Sequence, residues 1–354
     1  MHNYKFKIKR NLPSLKTILA LTNNIGIVQH TRYKTPDLRH GYCLDDNGRA
    51  LVFTTRYLNY TNKNREMILK LSNTYLSYIN VCQKPNGWMH NFISFDNHFL
   101  ENTGSEDSFG RAIWGLGECA ANSKDESQRQ LATDILLNSL NNITKLESPR
   151  AVAYSLLGLN AYYSSCKQAH IIKYIEFGHN LLLHKFNHNS TNKWPWFENI
   201  LAYSNALLPL ALFMSAKNLD IPSSEKVALK SFDWLLTQTE VMQDGKSIPS
   251  PIGNRGWYRK NGLKATLDQQ PIDVALTVMA AGHFFRATKN KIYQDAANLW
   301  FTWFLGNNIE NVKVANLDDG YSYDGLQSKS TNQNHGAESV IAFLLAQLEI
   351  CKLK

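Results

Sequence analysis

Six segments of this chain are apolar on nearly every side, and they limit the fold more than any other feature. They cover residues 48–58, 109–120, 150–161, 206–216, 274–285 and 337–348, and each is rich in Ala, Gly and Leu. A helix with no polar face has to be buried all round. Between them lie segments of a second kind, polar on one face and apolar at spacings of three and four: 64–81, 128–143, 167–186, 224–239 and 291–305. The first of these carries Ile68, Leu71, Tyr75 and Ile79 along one stripe, and residues 14–21 supply a sixth partner. Fully buried and half-buried helices thus alternate as a loose repeat of hairpins. The pattern predicts an all-α (α/α)6 toroid, with the apolar helices as inner ring and the amphipathic ones as outer ring. An open superhelix would need a polar face on its last helix, which 337–348 lacks. Pro209 falls inside the fourth apolar segment, so that helix starts late or is kinked there.

A polar motif leads into each apolar segment: GYCLDDNGRAL (41–51), GSEDSFGRAIW (104–114), ESPRAVAY (147–154), WPWFENILAYSNAL (194–207), DQQPIDVAL (268–276) and NQNHGAES (332–339). In such a toroid the inner helices all run the same way, so the six motifs meet at one end as a funnel. WPWFE sets Trp194, Trp196 and Phe197 beside one carboxylate, Glu198. Aromatic faces flanking a carboxylate suit a sugar ring, whose C–H faces stack while its hydroxyls bond the polar group. The same tryptophans would serve equally as core, since Trp is mostly buried wherever it occurs. Tyr203 and Asn205 follow in the same motif.

The remaining acids divide between capping and chemistry. Asp107 and Asp273 are placed to cap helix N-termini. Of the neighbours Asp45 and Asp46 one is spare for function, and Asp46 is the candidate. Glu106 has no evident helical duty, and Glu338 follows Asn332, Gln333, Asn334 and His335, a run of donors and acceptors that few structural loops need. Arg49 and Arg111 each sit about one turn into an apolar helix, where a guanidinium must pair with a carboxylate. They read as ion-pair struts to the funnel acids, with Asp107 among their partners. The long loop 250–270 adds Asn254, Arg255, Trp257, Asp268 and Gln269 as rim groups, and a small hairpin is expected within the overlapping stretch 243–262. The YSYDGL stretch adds Tyr321, Tyr323 and Asp324. His90 is a secondary candidate.

Composition closes off other classes. The chain has 354 residues, 44% hydrophobic and 19% charged, as an ordinary globular protein does. Its net charge of +9 is scattered rather than gathered into a patch, which argues against nucleic acid as partner. Five cysteines, odd in number and far apart, form no Cys-x-x-Cys pair, so neither a zinc site nor a disulfide framework is expected. No cofactor or metal is called for. The stretch after the basic N-terminus is broken by Thr22, Asn23 and Asn24, which fits neither a signal peptide nor a bilayer span, and the expected location is cytoplasmic. Residues 4–9, YKFKIK, alternate apolar and basic side chains. They mark a basic extended segment over 1–12, ahead of one barrel domain over 13–354.

Taken together, DDNGRAL, SEDSFGRAIW, WPWFE, SPIGNRGW, DQQPID, YDGL and NQNHGAES resemble a bacterial all-helical domain that is annotated in connection with glycosyltransferases. That domain occurs alone or attached to retaining-type sugar-nucleotide glycosyltransferases. The resemblance runs from about Gly41 onward. It implies an architecture like the six-hairpin glycosidases and the N-acylglucosamine 2-epimerase type of barrel. The chain itself has no strand–helix alternation and no glycine-rich nucleotide loop of the kind a transferase needs.

The leading expectation is a glycoside hydrolase working through two carboxyl groups in an aromatic funnel. Glu198 is the acid, since burial among aromatics raises a carboxyl pKa, while Asp46, Glu106 and Glu338 compete as base or nucleophile. The second expectation is a non-catalytic module that holds oligosaccharide or polysaccharide for a glycosyltransferase. A sugar epimerase is third, because His335 finds no histidine partner in the other motifs and His283 lies about three turns down its helix.

Overall fold

The computed structural model describes Ile8 and Arg10–Leu353. The extended stretch expected at 4–9 lies, Ile8 apart, outside these residues. The rest is the predicted toroid. Inner helices α2 (Leu44–Tyr60), α4 (Glu106–Asn122), α6 (Pro149–Cys166), α8 (Leu207–Leu219), α10 (Pro271–Thr288) and α12 (Ala337–Lys352) alternate with outer helices. The outer set is α3 (Arg65–Cys82), α5 (Glu126–Ile143), α7 (Ile172–Asn189), α9 (Pro222–Thr239) and α11 (Lys291–Phe301), with the short α1 (Lys16–Leu21) against α12. Each inner helix packs on the next, and α12 packs back on α2, so the ring closes.

Local chemistry explains the boundaries. Proline at the first helical position opens α6, α9 and α10, where its missing N–H is no loss. Pro209 lies in the first turn of α8, so this helix starts late and does not kink. Within the ring, α2, α4 and α6 approach so closely that glycine alone fits at the crossings. A side chain at Gly117 would meet the backbone of Gly158, and one at Gly110 the backbone of Ala151. The apolar faces are buried as the pattern required, and Leu51, Phe53, Ile113, Leu159, Leu212 and Phe343 have no exposed surface. Each such side chain contributes about 1.5–3 kcal/mol.

Strands are confined to short antiparallel pairs in the loops. A hairpin pairs Glu240–Gln243 with Lys246–Pro249, turned by Asp244 and Gly245, so it begins ahead of the 243–262 stretch where one was expected. A second pair, Gly325–Gln327 against Ser330–Asn332, is bridged to the loop ahead of α10 through Gln269 and Leu326. No helix among the described residues is long and apolar enough to cross a membrane.

Candidate functional site

Polar contacts join the lead-in motifs at one end of the barrel, running from α12 through α2, α4, α6 and the lead-in of α8 to α10. Asp45 of α2 accepts from Arg111 of α4 at 2.8 Å. Asp107 of α4 accepts from Ser148, ahead of α6, at 3.0 Å. Arg150 of α6 donates through Nε to the Tyr203 carbonyl at 2.6 Å. Asp273 of α10 accepts from the Asn205 backbone N–H at 3.4 Å, and Glu338 of α12 accepts from Arg49 of α2 at 2.6 Å. Acids gather here because helix N-termini present unpaired N–H groups and a positive dipole end.

A cavity of about 370 Å³ opens on the α2, α4 and α12 side of this end. Asp45, Asp46, Arg49, Arg111, Asp268, Asp324 and Glu338 line it, together with Gln29, His30, Asn254, Gln270 and Ser339. Its lining contains five carboxyl groups and no Trp, Tyr or Phe. The aromatic funnel expected from the sequence is therefore an acid- and amide-walled cup.

Arg49 organises it. The guanidinium is 2% exposed and donates Nη1 to Asp46 at 2.7 Å and Nη2 to Glu338 at 2.6 Å. Burial pushes the Asp46 carboxyl up to about 7, against the opposing pull of Arg49; the Cys43 thiol also donates to it at 3.1 Å. Asp324 accepts from the Gly336 N–H at 2.7 Å, and burial raises its carboxyl too. His30 stands edge-on to His40 with ring centroids 4.8 Å apart, and burial lowers its imidazole. Arg111 bonds Asp45 and, at 3.4 Å, Asp107, so both predicted arginines reach carboxylates at the mouth.

Several expected site residues lie elsewhere. Trp194 and Trp196 face the core: Trp194 packs edge-to-face on Trp234 and Tyr258, and Trp196 packs edge-to-face on Phe197 and tilted at 37° against Trp234. With 5% and 0% exposure they leave no face for a sugar, so the platform reading is corrected. Glu198 does not line the cup; it pairs with Arg150 at 2.8 Å. Glu106 has a helical duty after all, accepting from the Glu147 and Ser148 N–H groups at the start of α6. The capping reading of Asp107 and Asp273 is corrected as well, since the caps are Ser105 and Gln270. Gln269 is fully buried and takes the Trp303 indole N–H at 2.7 Å. Asn205 spends its side chain on Ala202. His335 is buried, stacked on Tyr321 with 4.1 Å between centroids, and held down to about 4 by burial. Asn334 supports the Tyr33 N–H beside a neighbouring surface hollow. Arg255 is exposed and pairs with Asp268 at 3.1 Å. Tyr203 and Trp257, both half-buried, stand together at the rim with centroids 6.2 Å apart. His90 is tied to the Glu101 carbonyl and stacked on Phe99.

Sequence reasoning missed His30, Gln270 and Arg150. Arg150 had a visible signal: it precedes Ala151 as Arg49 precedes Ala50 and Arg111 precedes Ala112. Gln270 had one as well, because the residue before a proline is held extended and neighbouring side chains there point opposite ways. Asp268 and Gln270 turn to the cup while Gln269 turns to the core. His30 had none, since no helical motif contains it. Among the described residues no group of three or more His, Cys, Asp or Glu is set to hold a metal ion.

No protein-family profile matches the sequence, and a search of curated proteins finds no match. Solved structures do match in fold. The cellobiose 2-epimerase from Bacillus thermoamylovorans superposes with a TM-score of 0.74 at 9% identity, covering 96% of each chain. A D-mannose isomerase gives 0.72 at 14% identity over 95% of each chain. An inactive variant of an α-1,6-mannanase of Salegentibacter sp., in complex with α-1,6-mannotetrose, gives 0.63 at 9% identity over 96% of each. The fold is thus that of (α/α)6 sugar epimerases, isomerases and glycoside hydrolases.

Proposed function

We propose that the chain is a carbohydrate-active enzyme of the glycoside hydrolase kind, with Asp46 and Glu338 as its working carboxyl groups. One observation carries the reading: both acids line a single cavity and are held by the same guanidinium, Arg49. Glycoside hydrolysis needs one carboxyl that keeps a proton for the leaving oxygen and one carboxylate that acts as base or nucleophile. Asp46, at 3% exposure and with its carboxyl pushed up to about 7, fits the first role. Glu338, 39% exposed and charge-paired to Arg49, fits the second. Glu198, paired with Arg150 outside the cavity, is set aside as the acid.

A sugar epimerase or isomerase is the second reading, favoured by the His30 imidazole on the cavity wall, where it faces Asp324 and Glu338. Proton abstraction next to a carbonyl is work for such a base. One experiment separates the two. Incubation with a panel of oligosaccharides in D2O yields new reducing ends for a hydrolase and carbon-bound deuterium for an epimerase. Asp46→Asn and Glu338→Gln should each lower hydrolysis by about 10²–10⁴. Unchanged turnover in both folded variants would sink the assignment. Glycan binding without any product would move the chain to the accessory class that its sequence resemblance connects with glycosyltransferases.

A further inference from the structure

The shape of the cup carries more than the identity of its acids. Its lining does not descend the barrel: the deepest helical positions on it are the sixth residue of α2, the sixth of α4 and the third of α12, in helices of 17, 17 and 16 residues. Helices of that length run about 25 Å, so the cavity takes up only their first turns. Below those positions the lining stops: α4 and α6 close on each other at their glycines, and farther along Arg56 of α2 pairs with Glu118 of α4 at 2.5 Å. The cup has a floor.

It also has walls. The stretch Gln29–Tyr33 is stitched to the start of α12, the Gln29 carbonyl accepting from Ala337 N–H at 3.0 Å and the Thr31 hydroxyl from His335 N–H at 2.7 Å. The Gly325–Asn332 hairpin is joined to the 254–270 loop by paired bonds between Gln269 and Leu326, at 3.0 and 2.9 Å. The sector left between α4, α6 and α8 holds the half-buried Tyr203 and Trp257 rings, inclined at 47°. Tyr203 is fixed there by its hydroxyl, which donates to Asp107 at 2.6 Å, and by the Arg150 guanidinium 4.6 Å from its ring. Trp257 holds a left-handed backbone at φ +56°. That conformation is unfavourable for a bulky side chain and persists only where the surroundings impose it.

We infer that the cup takes one sugar ring at the end of a glycan and that the Trp257–Tyr203 pair carries the ring next to it, so that the enzyme acts one residue from a chain end. The inference rests on the hydrolase reading for its chemistry. Water adds across the glycosidic C–O bond, its hydroxyl going to the anomeric carbon and its proton replacing the one Asp46 gives to the leaving oxygen. A polymer threaded through the site would have to pass the Gln29–Tyr33 wall or the floor. A chain end meets neither.

Two measurements test this with gluco-, manno-, galacto- and N-acetylglucosamine oligosaccharides of one to six rings, fluorescently labelled at the reducing end. A mass-spectrometric time course should show ladders shortening one residue at a time, with no mid-chain fragments. Fluorescence polarisation on the Asp46→Asn variant should show about tenfold tighter binding of two rings than of one, with no gain from a third. Trp257→Gly should drop two-ring affinity to the one-ring level, and Trp257→Phe should keep most of the gain. Mid-chain cleavage, or affinity that climbs steadily to six rings, overturns the inference while leaving the hydrolase reading in place. The one-to-two-ring step without any cleavage upholds the two-ring binding geometry and removes the hydrolase together with the chain-end action. Neither binding nor cleavage refutes both.

Discussion

Replacing Asp46 by asparagine should stabilise the fold progressively as pH rises. The carboxyl is 3% exposed and stands at about 7 in the folded chain, against 3.8 for an ordinary aspartate. A group raised on folding lends its full stability below its unfolded pKa and loses it as pH climbs through the folded value. From pH 5 to pH 7 the loss is about 1.4 kcal/mol per unit, and above pH 7 it levels off. Asparagine carries no such ionisation. The difference in stability between variant and wild type should therefore grow by about 3 kcal/mol in the variant's favour between pH 5 and pH 8. The pull of Arg49 on the ionised carboxyl is already contained in the folded value, so exchanging a neutral carboxyl for an amide beside Arg49 shifts the whole curve by a constant. The measurement is the melting temperature of both proteins at half-unit steps of pH, with about 1–2 °C expected per kcal/mol in a chain of this size. Parallel curves would show that Asp46 ionises as freely folded as unfolded and would refute its assignment as the proton-holding acid. Hydrolysis should fall at every pH in the same variant, so stability and activity move in opposite directions.

Two further outcomes follow from contacts away from the cup. Glu198→Ala leaves the Arg150 guanidinium, 5% exposed, without its carboxylate; unfolding titrations should show a loss of about 3–5 kcal/mol, with turnover per folded molecule kept within a few-fold. Gly158→Ala drives a methyl group into the Ile113 backbone where α4 and α6 cross, and soluble yield and melting temperature should both drop, by an amount equivalent to about 3 kcal/mol or more.

The toroid was legible because its evidence is redundant: six helices that lack a polar face can be satisfied in few ways, and the ring α2 to α12 is one. Arg49 and Arg111 were legible for a related reason, since an arginine one turn into an apolar helix has to find a carboxylate. Which way an aromatic ring points is set by partners far away in sequence. Trp194 and Trp196 turn inward because Trp234, on α9, lies against both, and nothing within WPWFE reveals that. Nor does the motif reveal that Glu198 pairs away from the cup, its partner Arg150 sitting 48 residues earlier. His30 belongs to a segment with no periodicity, so only the fold could bring it to Asp324.

The wall formed by Gln29–Tyr33 and the start of α12 is made by two stretches some 300 residues apart. During synthesis the early stretch leaves the ribosome long before its counterpart, and chains are made at about 5–20 residues per second. For tens of seconds, then, Arg49 has Asp46 but not Glu338, and the helices that have formed stand as an open arc. The growing chain carries each half of the proposed carboxyl pair without the other, and the pair is completed only when the last inner helix joins the ring.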